Sequence, residues 1–135
     1  MKIGVVKQYS IFMPNRPGAL ARLAKLFGDS GINIIGIESE VRDDSGMVRV
    51  AVDGDADHSA VLSKAGFASV ESRLLSVELE DKPGQLARLT KTLAEHGVNI
   101  TNVYGTSFGN RLSRLLFAVE NTDDALKLLQ EKIGS

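Results

Sequence analysis

The chain has 135 residues, 43% of them hydrophobic, and 16 Lys+Arg against 17 Asp+Glu give a formal net charge of -1. That balance suits a soluble globular protein and offers neither a basic footprint for nucleic acid nor a charged patch for a membrane surface. No cysteine is present, which excludes disulfides, thiol catalysis and Cys-ligated zinc.

The N-terminal stretch Met1-Lys2-Ile3-Gly4-Val5-Val6 is apolar only briefly before Lys7-Gln8, too short for a secretory h-region. No stretch approaches the ~20 apolar residues of a membrane helix. The cytoplasm is the expected location, with no membrane partner. From Gln8 to Met13 the residues Tyr9, Ile11 and Met13 alternate with Gln8, Ser10 and Phe12, the period of a half-buried strand. Asn15 to Ile34 then reads NRPGALARLAKLFGDSGINI. Leu20, Leu23, Ala24 and Phe27 form one stripe of an amphipathic helix, with Arg22 and Lys25 off the stripe and expected in water. Gly31 is the expected stop. A strand over Asn33 to Val41, a turn at Asp43-Asp44-Ser45-Gly46, a strand through Val48, Val50 and Val52, and a helix over 56–65 with Asp55 as its cap follow. A last strand is expected over Phe67 to Val70.

The same order then repeats. Asp81 to Ile100 reads DKPGQLARLTKTLAEHGVNI, 66 residues after the first copy, with 10 of 20 positions identical. Leu75, Val77 and Leu79 alternate before it. Leu86, Leu89, Thr90 and Leu93 repeat the helical stripe, Arg88 and Lys91 repeat the outward cations, and Gly97 repeats the stop. A strand over Asn99 to Phe108, a turn at Gly109-Asn110, a strand through Leu115, Phe117 and Val119, and a helix over 123–132 capped by Thr122 complete it.

Each half therefore reads β-α-β-β-α with room for one more strand, the split βαβ plan. The predicted class is α+β: two ferredoxin-like βαββαβ domains, 1–70 and 71–135, each an antiparallel sheet with helices on one face. The open sheet faces are expected to find a partner. The second half has no evident last strand after Ile133-Gly134-Ser135. Residues 1–5, which align with Phe67 to Glu71, are expected to supply it.

Catalytic constellations are poor. His58 and His96 lack a carboxylate or serine at triad-like or ligand-like spacing and read as helix-end residues. Asp53, Asp55 and Asp57 have the spacing of a calcium loop but lack its glycine and distal glutamate. Neither a catalytic site nor a metal or cofactor is expected.

The best candidate is the twice-occurring turn, Asn15-Arg16-Pro17-Gly18 and Asp81-Lys82-Pro83-Gly84, each opening a helix after a strand. First-turn N–H groups lack intrahelical acceptors and sit at the positive end of the helix dipole. Proline in the first turn forfeits no needed hydrogen bond, and glycine lets a ligand approach the backbone. The N–H groups of Gly18, Ala19 and Leu20, or of Gly84, Gln85 and Leu86, would hold a carboxylate; Asn15 or Asp81 would meet an ammonium. The residues alone favour a tight turn with Asn15 and Asp81 as caps over a ligand site. Asn33 and Asn99, opening the second strands, fit either a strained turn or an amide offering donor and acceptor to a ligand.

With [N/D]-x-P-G-x-L, the amphipathic helix and G-[I/V]-N-I in both halves, nearly the whole chain resembles the ACT domain. Asn15-Arg16-Pro17-Gly18-Ala19-Leu20 with Gly31-Ile32-Asn33-Ile34 is similar to the serine-binding regulatory domain of phosphoglycerate dehydrogenase. The resemblance implies domains paired side by side, as in a homodimer, with a free amino acid held at the paired interface. By position the contacts are Asn15 to Leu20 with Asn33 and Ile34, and Asp81 to Leu86 with Asn99 and Ile100. Two departures matter. The histidine of the serine-binding version is Met13 here and Leu79 in the second half, so serine itself is not implied. The second motif opens on Asp81, so the two sites need not be equal. Ile34, Ile35 and Ile37 favour an aliphatic ligand.

The leading expectation is a non-catalytic regulatory protein that binds an amino acid. The alternative is a subunit acting mainly by docking onto an amino-acid biosynthetic enzyme, as the small subunit of acetolactate synthase does. An acylphosphatase-like enzyme would need Arg16 and Asn33 around a wide phosphate cradle, which this short proline turn does not provide. Nucleic-acid binding on this plan would need exposed aromatics, and aromatics make up only 5% of the chain.

Overall fold

The computed structural model describes residues 1–107 and 111–133. The turn expected at Gly109-Asn110, the strand end at Phe108, and Gly134-Ser135 lie outside the described residues. The elements are β1 (Lys2–Pro14), α1 (Ala19–Asp29), β2 (Ile34–Arg42), β3 (Ser45–Val52), α2 (Ser59–Lys64), β4 (Ala68–Glu80), α3 (Gln85–Glu95), β5 (Ile100–Ser107), β6 (Leu112–Val119) and α4 (Thr122–Lys132). The chain divides into two compact units: Val6–Ser72, the first unit, and Met1–Val5 with Arg73–Ser135, the second. Two strands expected as separate pieces are continuous. β1 gives Lys2–Val5 to the second unit and the rest to the first, and β4 gives Ala68–Ser72 to the first and the rest to the second.

In the first unit the strand order is β2-β3-β1-β4. β1 and β3 pair antiparallel with Tyr9 opposite Val50, Ile11 opposite Val48 and Met13 opposite Gly46. These alternate residues form the helix-facing core with Leu23 and Phe27 of α1, Leu62 of α2, and Phe67. Each such buried side chain contributes about 1.5–3 kcal/mol of transfer free energy. The second unit repeats the plan as β5-β6-β4-β1. Leu75 and Val77 lie opposite Phe117 and Leu115. Ile3, Leu89, Leu93, Ala125 and Leu129 complete its core. The alternation in β1, β3, β4 and β6 thus places one face of each sheet under its helices, the α+β, ferredoxin-like arrangement.

Several local expectations are corrected. α2 is shorter than 56–65 because the Asp57 carboxylate, not Asp55, accepts the Ser59 N–H at 2.9 Å and starts the helix there. α4 is capped by Asn121, whose side chain accepts the Asp124 N–H at 3.1 Å, and Thr122 is its first residue. Arg22 is not simply in water: its guanidinium lies 4.4 Å from the centroid of the Phe67 ring and donates to the Ala65 carbonyl at the end of α2. The helical stripe is narrower than expected. Leu23, Phe27, Leu89 and Leu93 are buried, whereas Ala24 is exposed and Leu20 and Leu86 are 48% and 50% exposed.

Candidate functional site

The two turns share one backbone. β1 ends at Pro14 and β4 at Glu80, and in each turn the second residue's N–H (Arg16, Lys82) donates to that last strand carbonyl at 3.1 Å. Gly18 (φ 87°) and Gly84 (φ 93°) then occupy the N-cap positions in the left-handed region. A side chain there would cost about 1–2 kcal/mol of backbone strain, which explains the glycine of the motif. No side chain caps either helix. The Ala19 N–H donates to the Arg16 carbonyl at 3.3 Å and the Gln85 N–H to Lys82 at 3.4 Å. These two donors are therefore engaged inside the turn. The Leu20 and Leu86 N–H groups, in the first helical turn, have no intrahelical acceptor.

Neither Asn15 nor Asp81 caps its helix; each ties the turn to the neighbouring strands. The Asn15 N–H donates to the Asp44 carbonyl at 2.8 Å and its side-chain amide to the Asp43 carbonyl at 2.9 Å. The Asp81 N–H donates to the Arg111 carbonyl at 2.6 Å, and the Ser107 hydroxyl donates to the Asp81 carboxylate at 2.5 Å.

A hollow opens beside each turn on the helix-bearing face. In the first unit it measures about 180 Å³ and joins Asn15, Arg16, Ala19 and Leu20 to Ser39 and Val41 at the end of β2 and to Met47 and Val48 on β3. In the second it measures about 280 Å³ and joins Asp81, Lys82, Gln85 and Leu86 to Gly105–Ser107 and to Ser113 and Leu115. Gly105 must be glycine at its place, because a Cβ there would stand 2.5 Å from the Arg114 carbonyl oxygen. Charge differs between the copies. Arg16 makes no ion pair among the described residues, while Lys82 pairs with Glu80 at 3.2 Å beside Asp81. Pro17 and Pro83 complete the turns and line neither hollow.

Asn33, Ile34, Asn99 and Ile100 lie elsewhere. Ile34 sits opposite Val52, whereas the turn end of β1, Pro14, sits opposite Ser45. Seven strand positions separate them, roughly 23 Å at about 3.3 Å per residue. Ile34 and Ile100 pack partly into their cores. Within a unit, then, the motif's two halves occupy opposite ends of the sheet, and Arg16 and Asn33 do not form one phosphate cradle. The hollow instead takes its far wall from the ends of β2 and β5. In a split βαβ plan the first two strands run parallel, so their C-terminal ends coincide; strand direction, not residue type, was the signal for Ser39, Val41 and Ser107.

A family model for the ACT domain pair matches residues 4–133. The chain belongs to the ACT domain family. The ACT pair is similar to a solved protein from Bacteroides thetaiotaomicron, with TM-score 0.87 and 25% identity over 97% of this chain and 90% of that one. The regulatory subunit of aspartate kinase from Thermus thermophilus, in its ligand-free form, shares the fold with TM-score 0.66 and 17% identity over 97% of each chain. The corresponding subunit from Thermus flavus gives 0.63 and 17%, over 97% of this chain and 96% of that one. No curated protein matches by sequence. Among the described residues no helix is long and apolar enough to cross a membrane. His58, at the start of α2, gives its N–H to the Tyr9 hydroxyl at 2.9 Å, and His96 sits at the end of α3 with Nδ1 2.9 Å from the Thr92 carbonyl.

Proposed function

We propose that this ACT domain pair is a non-catalytic regulatory protein that binds a free amino acid at its strand-to-helix turns. The observation that carries the reading is the first-unit turn: a helix start without a side-chain cap, an Arg16 with no ion pair among the described residues and a 180 Å³ hollow converge there. The ligand carboxylate meets the Leu20 N–H at the positive end of α1, with Arg16 beside it. The hollow is smaller than the ~300–1,000 Å³ that drug-sized ligands fill and suits one amino acid.

A homodimer would complete the site. β2 is the edge of its sheet. If two copies pair antiparallel along β2, Asn33 and Ile34 of one copy come beside the turn hollow of the other. That is how residues at opposite ends of one sheet would serve a single ligand. A ligand bridging two domains biases their arrangement by its differential affinity.

The second reading, docking onto an enzyme of amino-acid metabolism, is favoured by the opposite face of the first sheet. There Phe12 is 50% exposed beside Met47 in a hollow of about 540 Å³. The resemblance in length to the aspartate kinase regulatory subunit fits it too.

The test is a thermal-shift screen against the twenty amino acids. A ligand at 100 times its Kd that binds only the folded state adds about 2.7 kcal/mol. A selective rise in Tm that Gly18→Val abolishes supports the sensor. A flat profile with an enzyme recovered by pull-down supports docking.

A further inference from the structure

On the sheet faces turned away from the helices the two units differ at one matched place. In the first unit Phe12, two residues before the end of β1, lies opposite Met47 on β3. In the second unit Glu78, two residues before the end of β4, lies opposite Arg114 on β6, and their side chains form an ion pair. That pair is largely covered, whereas Phe12 is 50% exposed. The fold therefore accepts a polar pair at this register. A half-exposed ring adds little to its own unit, and an exposed aromatic beside methionine is the composition of an interface centre.

The charges around the pair point to what covers it. Phe12 and Met47 line the hollow of about 540 Å³, together with Arg42 at the end of β2 and Asp44 in the turn before β3. Neither Arg42 nor Asp44 makes an ion pair among the described residues. Glu40, the third charged group at the hollow, is held by Arg49 at 3.1 Å, and Arg49 also pairs with Glu38. The surface thus has an apolar centre and one uncompensated charge of each sign. A partner of a single sign would be repelled by one of them. A second copy would not: across a two-fold axis the same patch lies on both sides, and Arg42 of each copy meets Asp44 of the other.

We propose that a second copy of this chain docks on the open sheet face of the first unit, with Phe12 and Met47 at the centre of the contact and Arg42 against Asp44 at its rim. The inference does not use the amino-acid reading. It gives to a second copy the hollow that the docking reading gives to an enzyme, and it leaves the β2 edge free.

Sedimentation equilibrium of the full chain tests it. The unaltered chain should sediment as an assembly of more than one copy. Phe12→Glu/Met47→Arg, which transplants the second unit's ion pair, should halve the mass of that assembly while the cooperative thermal melt persists. Arg42→Asp alone and Asp44→Arg alone should each raise the dissociation constant more than ~10-fold by setting like charges together. Arg42→Asp combined with Asp44→Arg exchanges the signs and should restore association, a recovery that misfolded single variants would not show. An unaltered chain that stays single, a mass unchanged in the Phe12→Glu/Met47→Arg variant, single reversals without effect, or a sign exchange that restores nothing would overturn the inference. Each of these results leaves the amino-acid reading to the thermal-shift screen.

Discussion

The cores of the two units and their turns have diverged differently. Position by position across the repeat, Tyr9, Ile11 and Met13 are matched by Leu75, Val77 and Leu79, and Leu23 and Phe27 by Leu89 and Leu93, all buried under helices. At the turns the backbone is equally well matched, down to Gly18 at φ 87° and Gly84 at φ 93°. The side chains there are not: Asn15 and Arg16 correspond to Asp81 and Lys82, whose partners are Ser107 and Glu80. A fold needs apolar volume at fixed places and left-handed glycine at two others. It sets little demand on exposed turn side chains, and that is where the chemistry of the copies separates.

The comparison can be broken at the cores first. Phe27→Ala and Leu93→Ala each empty a fully buried position and should cost their units about 3–5 and 2–5 kcal/mol. Native-state hydrogen exchange, read unit by unit, checks this; a negligible loss at either would show that the cores are not equivalent. Gly18→Val and Gly84→Val should each cost about 1–2 kcal/mol or more, since both need a positive φ. Equal losses of stability with loss of ligand only in the first would sharpen the contrast between shared backbone and unshared chemistry.

A smaller contrast lies on the helices. Arg22→Ala removes the contact with Phe67 and the bond to the Ala65 carbonyl and should cost about 1–2 kcal/mol. Arg88→Ala, at the matching exposed position, should cost under about 0.5 kcal/mol. Chemical denaturation of the two variants decides it.

The smallest effect is one of pH. Burial holds the Tyr9 phenol above its ordinary value of 10.0, against the lowering effect of the His58 N–H bond, with Glu71 adding to the rise. A raised folded pKa means that the neutral phenol's stabilisation is complete below the unfolded value and is lost as pH rises through the folded one. The first unit should therefore weaken in the alkaline range above about pH 10, more than a Tyr9→Phe variant does. The second unit carries Leu75 at that place. Thermal melts across pH 8 to about 11 read the difference.

Much of this architecture was legible in the residues because it rests on short-range periodicity: Tyr9-Ile11-Met13 and Leu23-Phe27 each declare their face. The turn was legible because proline and glycine have few alternative uses at a helix start. What escaped depends on tertiary direction. Ser39, Val41 and Ser107 join the hollows only because β2 and β5 end beside the turns, and Asn33 and Asn99, neighbours of the motif in sequence, lie a sheet-length away. Arg22 looked solvated because nothing local shows that Phe67 returns beneath it. The helix starts moved because Asp57 and Asn121, and not Asp55 and Thr122, accept the N–H groups there, and only backbone geometry decides between them.

The central claim is that a free amino acid docks at the start of α1. A backbone amide NMR titration with the amino acid that gives the largest thermal shift tests it most directly. The account predicts saturable shifts at Gly18, Leu20 and Val41. Shifts confined to Phe12 and Arg42 beside the opposite hollow, or none at the α1 turn at saturation, would contradict it.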